Sequence, residues 1–135
     1  MVKVLFVCLG NICRSPMAEG IFKQMVNELG LDIICDSAGT SSYHIGELPD
    51  ERMRLTAKNH GIDLTHRARQ LAQDDFDKFQ YILAMDQSNY QNIMNLKIRV
   101  SSQAEPTIKL IRDFDPHQGN KQVPDPYYGD QEDFE

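Results

Sequence analysis

Cys8 and Arg14 stand six residues apart in Val7-Cys8-Leu9-Gly10-Asn11-Ile12-Cys13-Arg14-Ser15-Pro16. A thiol and a guanidinium at that spacing around one turn suit the capture of a tetrahedral oxyanion such as phosphate. The apolar, β-branched run Val2, Val4, Leu5, Phe6 and Val7 reads as a buried strand ending at Cys8, and Pro16 is tolerated in a first helical turn. A helix N-terminus there offers unpaired N–H groups and about half a positive charge, which holds an anion without a metal and favours a sulfur anion over a thiol. Cys8 is then the candidate nucleophile, and Arg14 binds two phosphoryl oxygens through its planar fork. Backbone amides of Leu9, Gly10, Asn11, Ile12, Cys13 and Ser15 cup the remaining oxygens, with Gly10 where backbone must approach the ligand. A Cys–Arg pair at this spacing arises easily by chance; its weight comes from the strand-to-helix junction. The Gly-Lys-Ser/Thr of a nucleotide loop and the Gly-x-Gly-x-x-Gly of a dinucleotide fold are missing, so no cofactor and no metal is expected.

A leaving oxygen needs a proton. Asp125, in Val123-Pro124-Asp125-Pro126-Tyr127-Tyr128, is the candidate general acid, because Pro126 biases it toward extended backbone and two prolines stiffen its loop. Alone, it reads more readily as a solvated turn residue, and it is the coupling to the Cys8 loop that promotes it. Tyr127 and Tyr128 are suited to wall an aromatic substrate or simply to pack.

These groups require a scaffold. Met17 to Leu29 has helical apolar spacing closed by Gly30; Asp32 to Ala38 reads as a second strand, and Gly39 to Pro49 as a surface loop carrying Tyr43 and His44. Asp50 to His60 forms a helix closed by Gly61. Gln80 to Met85 forms a third strand, Asp86 or Ser88 caps a helix toward Leu96, and Thr107 to Ile111 can form a fourth strand. Strands alternating with helices predict an α/β fold, a doubly wound, flavodoxin-like, four-stranded parallel sheet whose ligands sit beyond the strands' carboxyl ends.

The 135 residues fit one domain, 1–135, with 41% hydrophobic and 25% charged residues, an ordinary globular balance. A net charge of −6 argues against nucleic-acid binding, and no run approaches the ~20 apolar residues of a membrane span. No export signal precedes the first strand, so a cytoplasmic location is the default. Three cysteines fit reduced thiols, with Cys35 in the apolar Ile33-Ile34-Cys35 read as core. Gly129 to Asp133 reads as an acidic helix start just before the end at Glu135, which suggests a C-terminally shortened domain with an apolar sheet face left uncovered.

Taken together, Cys8-Leu9-Gly10-Asn11-Ile12-Cys13-Arg14-Ser15 and Asp125-Pro126-Tyr127-Tyr128 resemble the two signature segments of the low-molecular-weight protein tyrosine phosphatases. Asp36-Ser37-Ala38-Gly39, His66-Arg67-Ala68-Arg69 and Met85-Asp86-Gln87-Ser88-Asn89 extend the resemblance along the chain. It implies hydrolysis of phosphotyrosine proteins or small aryl phosphates through a cysteinyl-phosphate, with Cys8 as nucleophile, Arg14 as transition-state binder and Asp125 as general acid, then base. It further implies that Asn11, Ser15, Ser37 and His66 form a supporting hydrogen-bond network, and that Tyr43, Tyr127 and Tyr128 line the cleft. His66 alone would be an ordinary histidine. Cys13, a small core residue by default, is by the same resemblance a reversible disulfide partner for Cys8. The resemblance also implies a last helix, which the sequence ending at Glu135 is expected to omit.

Three alternatives stay open. A phosphoarginine phosphatase has a similar loop with Thr where Ile12 stands, and an apolar Ile suits an aryl wall better than a guanidinium. A thioredoxin-linked arsenate reductase needs resolving cysteines downstream, and none follows Cys35. A shortened chain could also be a phosphate-binding module without turnover.

Overall fold

The computed structural model describes residues 2–11, 14–41, 44–99 and 105–111. Their order is β1 (Val2–Cys8), α1 (Arg14–Leu29), β2 (Ile33–Gly39), α2 (Glu51–Asn59), α3 (Asp75–Lys78), β3 (Tyr81–Ala84), α4 (Gln87–Arg99) and β4 (Thr107–Leu110). The four strands form one parallel sheet in the order β2-β1-β3-β4. The doubly wound sheet expected from the alternation of elements is therefore present.

That order places a reversal at β1, where the chain first goes out to β2 and later returns on the opposite side as β3. Crevices at such reversals are where parallel sheets bind ligands, and Cys8 is the last residue of β1. The strand is buried on both faces. Leu5 and Val7 pack with Phe76, Ile82, Ile93 and Leu110 beneath α3 and α4; Val4, Phe6 and Cys8 share the other face with Cys35, Leu83 and Met85. Phe22 of α1 meets Phe6 edge to face, with centroids 5.5 Å apart. Complete burial of each large side chain contributes roughly 1.5–3 kcal/mol, so the strand that ends in Cys8 is anchored from both sides.

The element ends differ from the sequence reading in instructive ways. Helix α1 starts at Arg14, three residues before the apolar periodicity begins, which puts Arg14, Ser15 and Pro16 in its first turn. Asp50 caps α2 by accepting from the Arg52 amide at 2.9 Å, and Gly30 and Gly61 take positive φ just after α1 and α2 as expected of helix stops. The short α3 was not anticipated, because four residues carry no readable periodicity. Residues 112–135, including Asp125, Tyr127, Tyr128 and the acidic stretch 129–133, lie outside the described residues, as do Ile12, Cys13 and Tyr43.

After α2 the chain runs extended alongside α1. Met53, Ala57 and Leu64 form a small cluster there with Met17 and Ile62, and Leu64 approaches Gly20 closely enough that a Cβ on Gly20 would lie 2.7 Å from its Cδ2. This stretch then bridges to the end of β2: the Gly39 amide donates to Arg69 O at 2.8 Å and the Leu71 amide to Gly39 O at 2.7 Å. Gly39 also faces the loop after β1. Replacement of Gly39 by Ala would put its Cβ 2.7 Å from Leu9 O and 3.1 Å from Asn11 N, both backbone atoms with no room to yield. We expect Gly39→Ala to lower stability by about 1–3 kcal/mol in denaturant titration and to weaken binding of inorganic phosphate measured calorimetrically.

Candidate active site

Asn11 organises the loop that follows β1. It is fully buried, and its backbone sits at φ 59°, a left-handed conformation that asparagine tolerates better than most residues. Its Nδ2 donates to Ser15 Oγ and Ser37 Oγ, both at 2.9 Å, while its Oδ1 accepts from the Arg69 amide at 3.0 Å and from His66 Nε2 at 2.8 Å. Both hydrogens and both lone pairs of the carboxamide are thereby used, which fixes its orientation and requires Nε2 of His66 to carry the hydrogen of their bond.

The sulfur of Cys8 is met from two sides. The Asn11 amide donates to Sγ at 3.2 Å, and Ser15 Oγ lies 3.0 Å from it. Ser15 accepts from Asn11, so its own hydrogen is available; toward a thiolate it can only be the donor. Cys8, Ser15, Asn11 and Ser37 are thus linked in series, and Ser37 passes the chain on by donating to Glu19 Oε1 at 2.6 Å. The structure brings Cys8, Asn11, Ser15, Ser37 and His66 together, and Leu9 and Gly10 lie between the sulfur and Asn11.

Arg14 is 6% exposed, and its Nη1 donates to Asp86 Oδ2 at 2.8 Å. The other oxygen of Asp86 accepts from the Asn89 amide at 2.8 Å, so one carboxylate caps α4 and aims the guanidinium. The sequence reading recognised the cap but not the arginine, since the partners are 72 positions apart. It also missed Glu19, and it missed Arg69 and Asp75. Arg69 forms a two-pronged pair with Asp75, 3.0 Å on each arm, and reaches Asp36 Oδ2 through Nε at 3.2 Å. Burial alone would lower the Arg69 pKa, but the hydrogen bonds and charge of Asp75, with Asp36, more than offset this and hold it above its ordinary value. The only available signal for Arg69 was its place in the His66-Arg67-Ala68-Arg69 segment.

Behind Asn11, His66 Nδ1 faces Asp36 Oδ1 at 3.3 Å and Glu19 Oε1 at 3.5 Å. Glu19, Asp36 and His66 offer one donor atom each within 4.8 Å of one another, the group among the described residues with the makings of a cation site. Lys23 pairs with Glu19; burial opposes its charge, yet that partner keeps the lysine pKa raised.

A sequence model described as low molecular weight phosphotyrosine protein phosphatase matches residues 3–135. The chain belongs to that family. It is 46% identical to the human low molecular weight phosphotyrosine protein phosphatase over 134 residues, spanning 98% of this chain and 84% of that protein. Its structure resembles a protein tyrosine phosphatase from Entamoeba histolytica, crystallised with Hepes in the active site, at TM-score 0.90 and 43% identity, covering 99% of this chain and 85% of that one. A Drosophila arginine phosphatase gives TM-score 0.94 at 36% identity, covering 98% and 86%. This low molecular weight phosphatase is accordingly an enzyme, and no helix among its described residues is long and apolar enough to cross a membrane.

Two outcomes follow from this geometry. In Asn11→Ala the Arg69 amide, the His66 imidazole and two hydroxyls lose their partner, and we expect at least about 2 kcal/mol of lost stability by chemical denaturation; Asn11→Gly, which relieves the backbone strain, should recover only part of it. Burial first, then the negative charges of Glu19 and Asp36, push the Cys35 thiol up to about 11 against the opposing influence of Lys23. Cys35 should therefore resist iodoacetamide in the native enzyme near neutral pH, as read by mass spectrometry. The unfolded chain gives up this proton at lower pH than the folded one, so the Cys35 contribution to stability declines as pH rises from about 9 toward 11.

Proposed function

We propose that this enzyme hydrolyses protein phosphotyrosine, and small aryl phosphates, in two displacements. The Cys8 sulfur attacks phosphorus in line, the bond to the aryl oxygen breaks, and Asp125 gives that oxygen its proton. Water then attacks the cysteinyl-phosphate, Asp125 accepts a proton, and inorganic phosphate leaves with the thiolate restored. Arg14 binds two of the phosphoryl oxygens and follows their charge through the transition state. The supporting observation is the sulfur itself, held at the end of β1 by an amide and a hydroxyl at the mouth of α1, and the free N–H groups of a helix start favour an anion.

Asp86 pre-orients Arg14, so the guanidinium loses little freedom when it takes up phosphate. A lysine could not pair with Asp86 and also fork around two oxygens. Ser37 and His66 act through Asn11 rather than on substrate. Tyr43, Tyr127 and Tyr128 wall the aryl ring, with Leu9 and Ile12 at the loop. The chemistry itself requires no cofactor and no metal at the phosphorus.

A second reading, phosphoarginine hydrolysis, is favoured by the likeness to the Drosophila arginine phosphatase. Ile12 weighs against it, because an apolar side chain at that position suits a phenyl ring better than a guanidinium.

Parallel assays on phosphotyrosine, phosphoserine and phosphoarginine peptides in the presence of EDTA should show turnover of phosphotyrosine alone. Cys8→Ser should abolish it. Asp125→Ala should slow aryl esters with poor leaving groups by about 10²-fold or more while barely affecting those with good ones; equal slowing across the series would remove Asp125 from the acid role.

A further inference from the structure

Building on the phosphotyrosine hydrolysis proposed for the cup, on which this rests, we infer that Arg54 and Arg67 form a subsite for an acidic side chain of the substrate, an Asp or Glu a few residues from the phosphotyrosine.

The two guanidinium groups are tied to one loop. After β2 the chain is fastened to the stretch before α3 by two backbone bonds, from the Gly46 amide to Ala68 O and from the Ala68 amide to Glu47 O, both at 2.7 Å. Across this seam Arg67 donates from Nη1 to Gly46 O at 2.9 Å, and from α2 Arg54 donates from Nε to Pro49 O, also at 2.9 Å. One N–H of each fork is spent on orientation. The others remain as donors, since a guanidinium carries five.

Carboxylates are close at hand, yet neither arginine has taken one. Glu47 is engaged by His44 Nδ1 at 2.9 Å, and Asp50 by Arg52 Nε at 3.2 Å while it caps α2. Among the described residues Arg54 and Arg67 meet carbonyl oxygens alone. A neutral carbonyl aims a cation without cancelling its charge. Both groups line one hollow of about 400 Å³, with Arg67 exposed and Arg54 partly so, and a carboxylate entering it meets two pre-oriented forks. Glu51 also lines the hollow and opposes an anion there, which sets the expected preference at severalfold rather than a hundredfold.

The hollow lies within reach of a peptide held in the cup. The Arg69 amide bonds Asn11 Oδ1, so Arg67, two residues earlier, stands within about 13 Å of the Asn11 Cα. His44, which lines the same hollow, directly follows Tyr43, assigned to the aryl wall. An extended peptide advances about 3.3–3.6 Å per residue, so an acid two to four residues from the phosphotyrosine spans that interval.

The experiment measures kcat/KM on phosphotyrosine peptides of otherwise neutral sequence, with Glu or Gln placed in turn at each of the four positions on either side. We expect Glu to be favoured at one or two positions by about three- to tenfold, through KM with kcat unchanged, and the advantage to shrink at about 1 M salt. The double substitution Arg54→Gln and Arg67→Gln should erase it. Turnover of p-nitrophenyl phosphate, too small to reach the hollow, reports that the catalytic loop of that variant is intact. Lys58→Gln, which removes an exposed cation elsewhere on α2, should leave the advantage in place. Equal rates for Glu and Gln peptides at every position would overturn the subsite. So would an advantage that survives the double substitution, or one that Lys58→Gln abolishes as well. Failure to turn over even the neutral phosphotyrosine peptides is a separate result, which removes the phosphotyrosine reading and the subsite with it.

Discussion

A single buried carboxamide sets the shape of everything around the candidate nucleophile. Asn11 holds a left-handed backbone conformation that costs about 1 kcal/mol or more for an ordinary side chain, and four side-chain hydrogen bonds drawn from α1, β2 and the stretch before α3 offset that cost. With its donors and acceptors fully used, the amide cannot flip without breaking all four. The turn of the backbone that points the Asn11 N–H at Cys8 is therefore specified by side chains remote in sequence rather than by the loop's own preferences.

Two carboxylates play comparable parts at longer range. Asp86 ties Arg14 to the start of α4, and Asp75 anchors Arg69, whose amide completes the set of bonds on Asn11. Both pairs are largely buried, and burying an ion pair yields modest net stability once desolvation is counted. Their value lies in direction: each guanidinium is planar, and a carboxylate at a fixed place leaves it one orientation. Stability comes mainly from the apolar sheet faces, and the polar network determines where the reactive groups point.

Much of this was legible in the chain, and the limits have a physical cause. Local signals worked where the determining interactions are local. The apolar run of β1, the periodicity of α1, the helix after Pro49 and Gly30 and Gly61 as stops follow from neighbours within a few residues. The Cys8 to Arg14 segment was readable for the same reason, because strand, turn and helix start occupy adjacent positions. Glu19, Arg69, Asp75 and the second task of Asp86 were not readable from spacing, since their partners are brought together only by the sheet order. Ser37 and His66 entered on family resemblance, and the network that now joins them to Asn11 gives that resemblance a mechanical content.

The reach of these bonds along the chain bears on how the enzyme is made. Cys8 and Ser15 are neighbours in sequence, but Asn11 is secured by residues 26, 55 and 58 positions later, and Arg14 by one 72 positions later. Contacts of such separation form only once the loop-closure entropy of the intervening chain has been overcome. A chain with only β1 and α1 in place would carry the candidate nucleophile without the frame that aims it. During synthesis Cys8 therefore emerges well before Asp86, and the frame around the loop is complete only with the β3 to α4 junction in place.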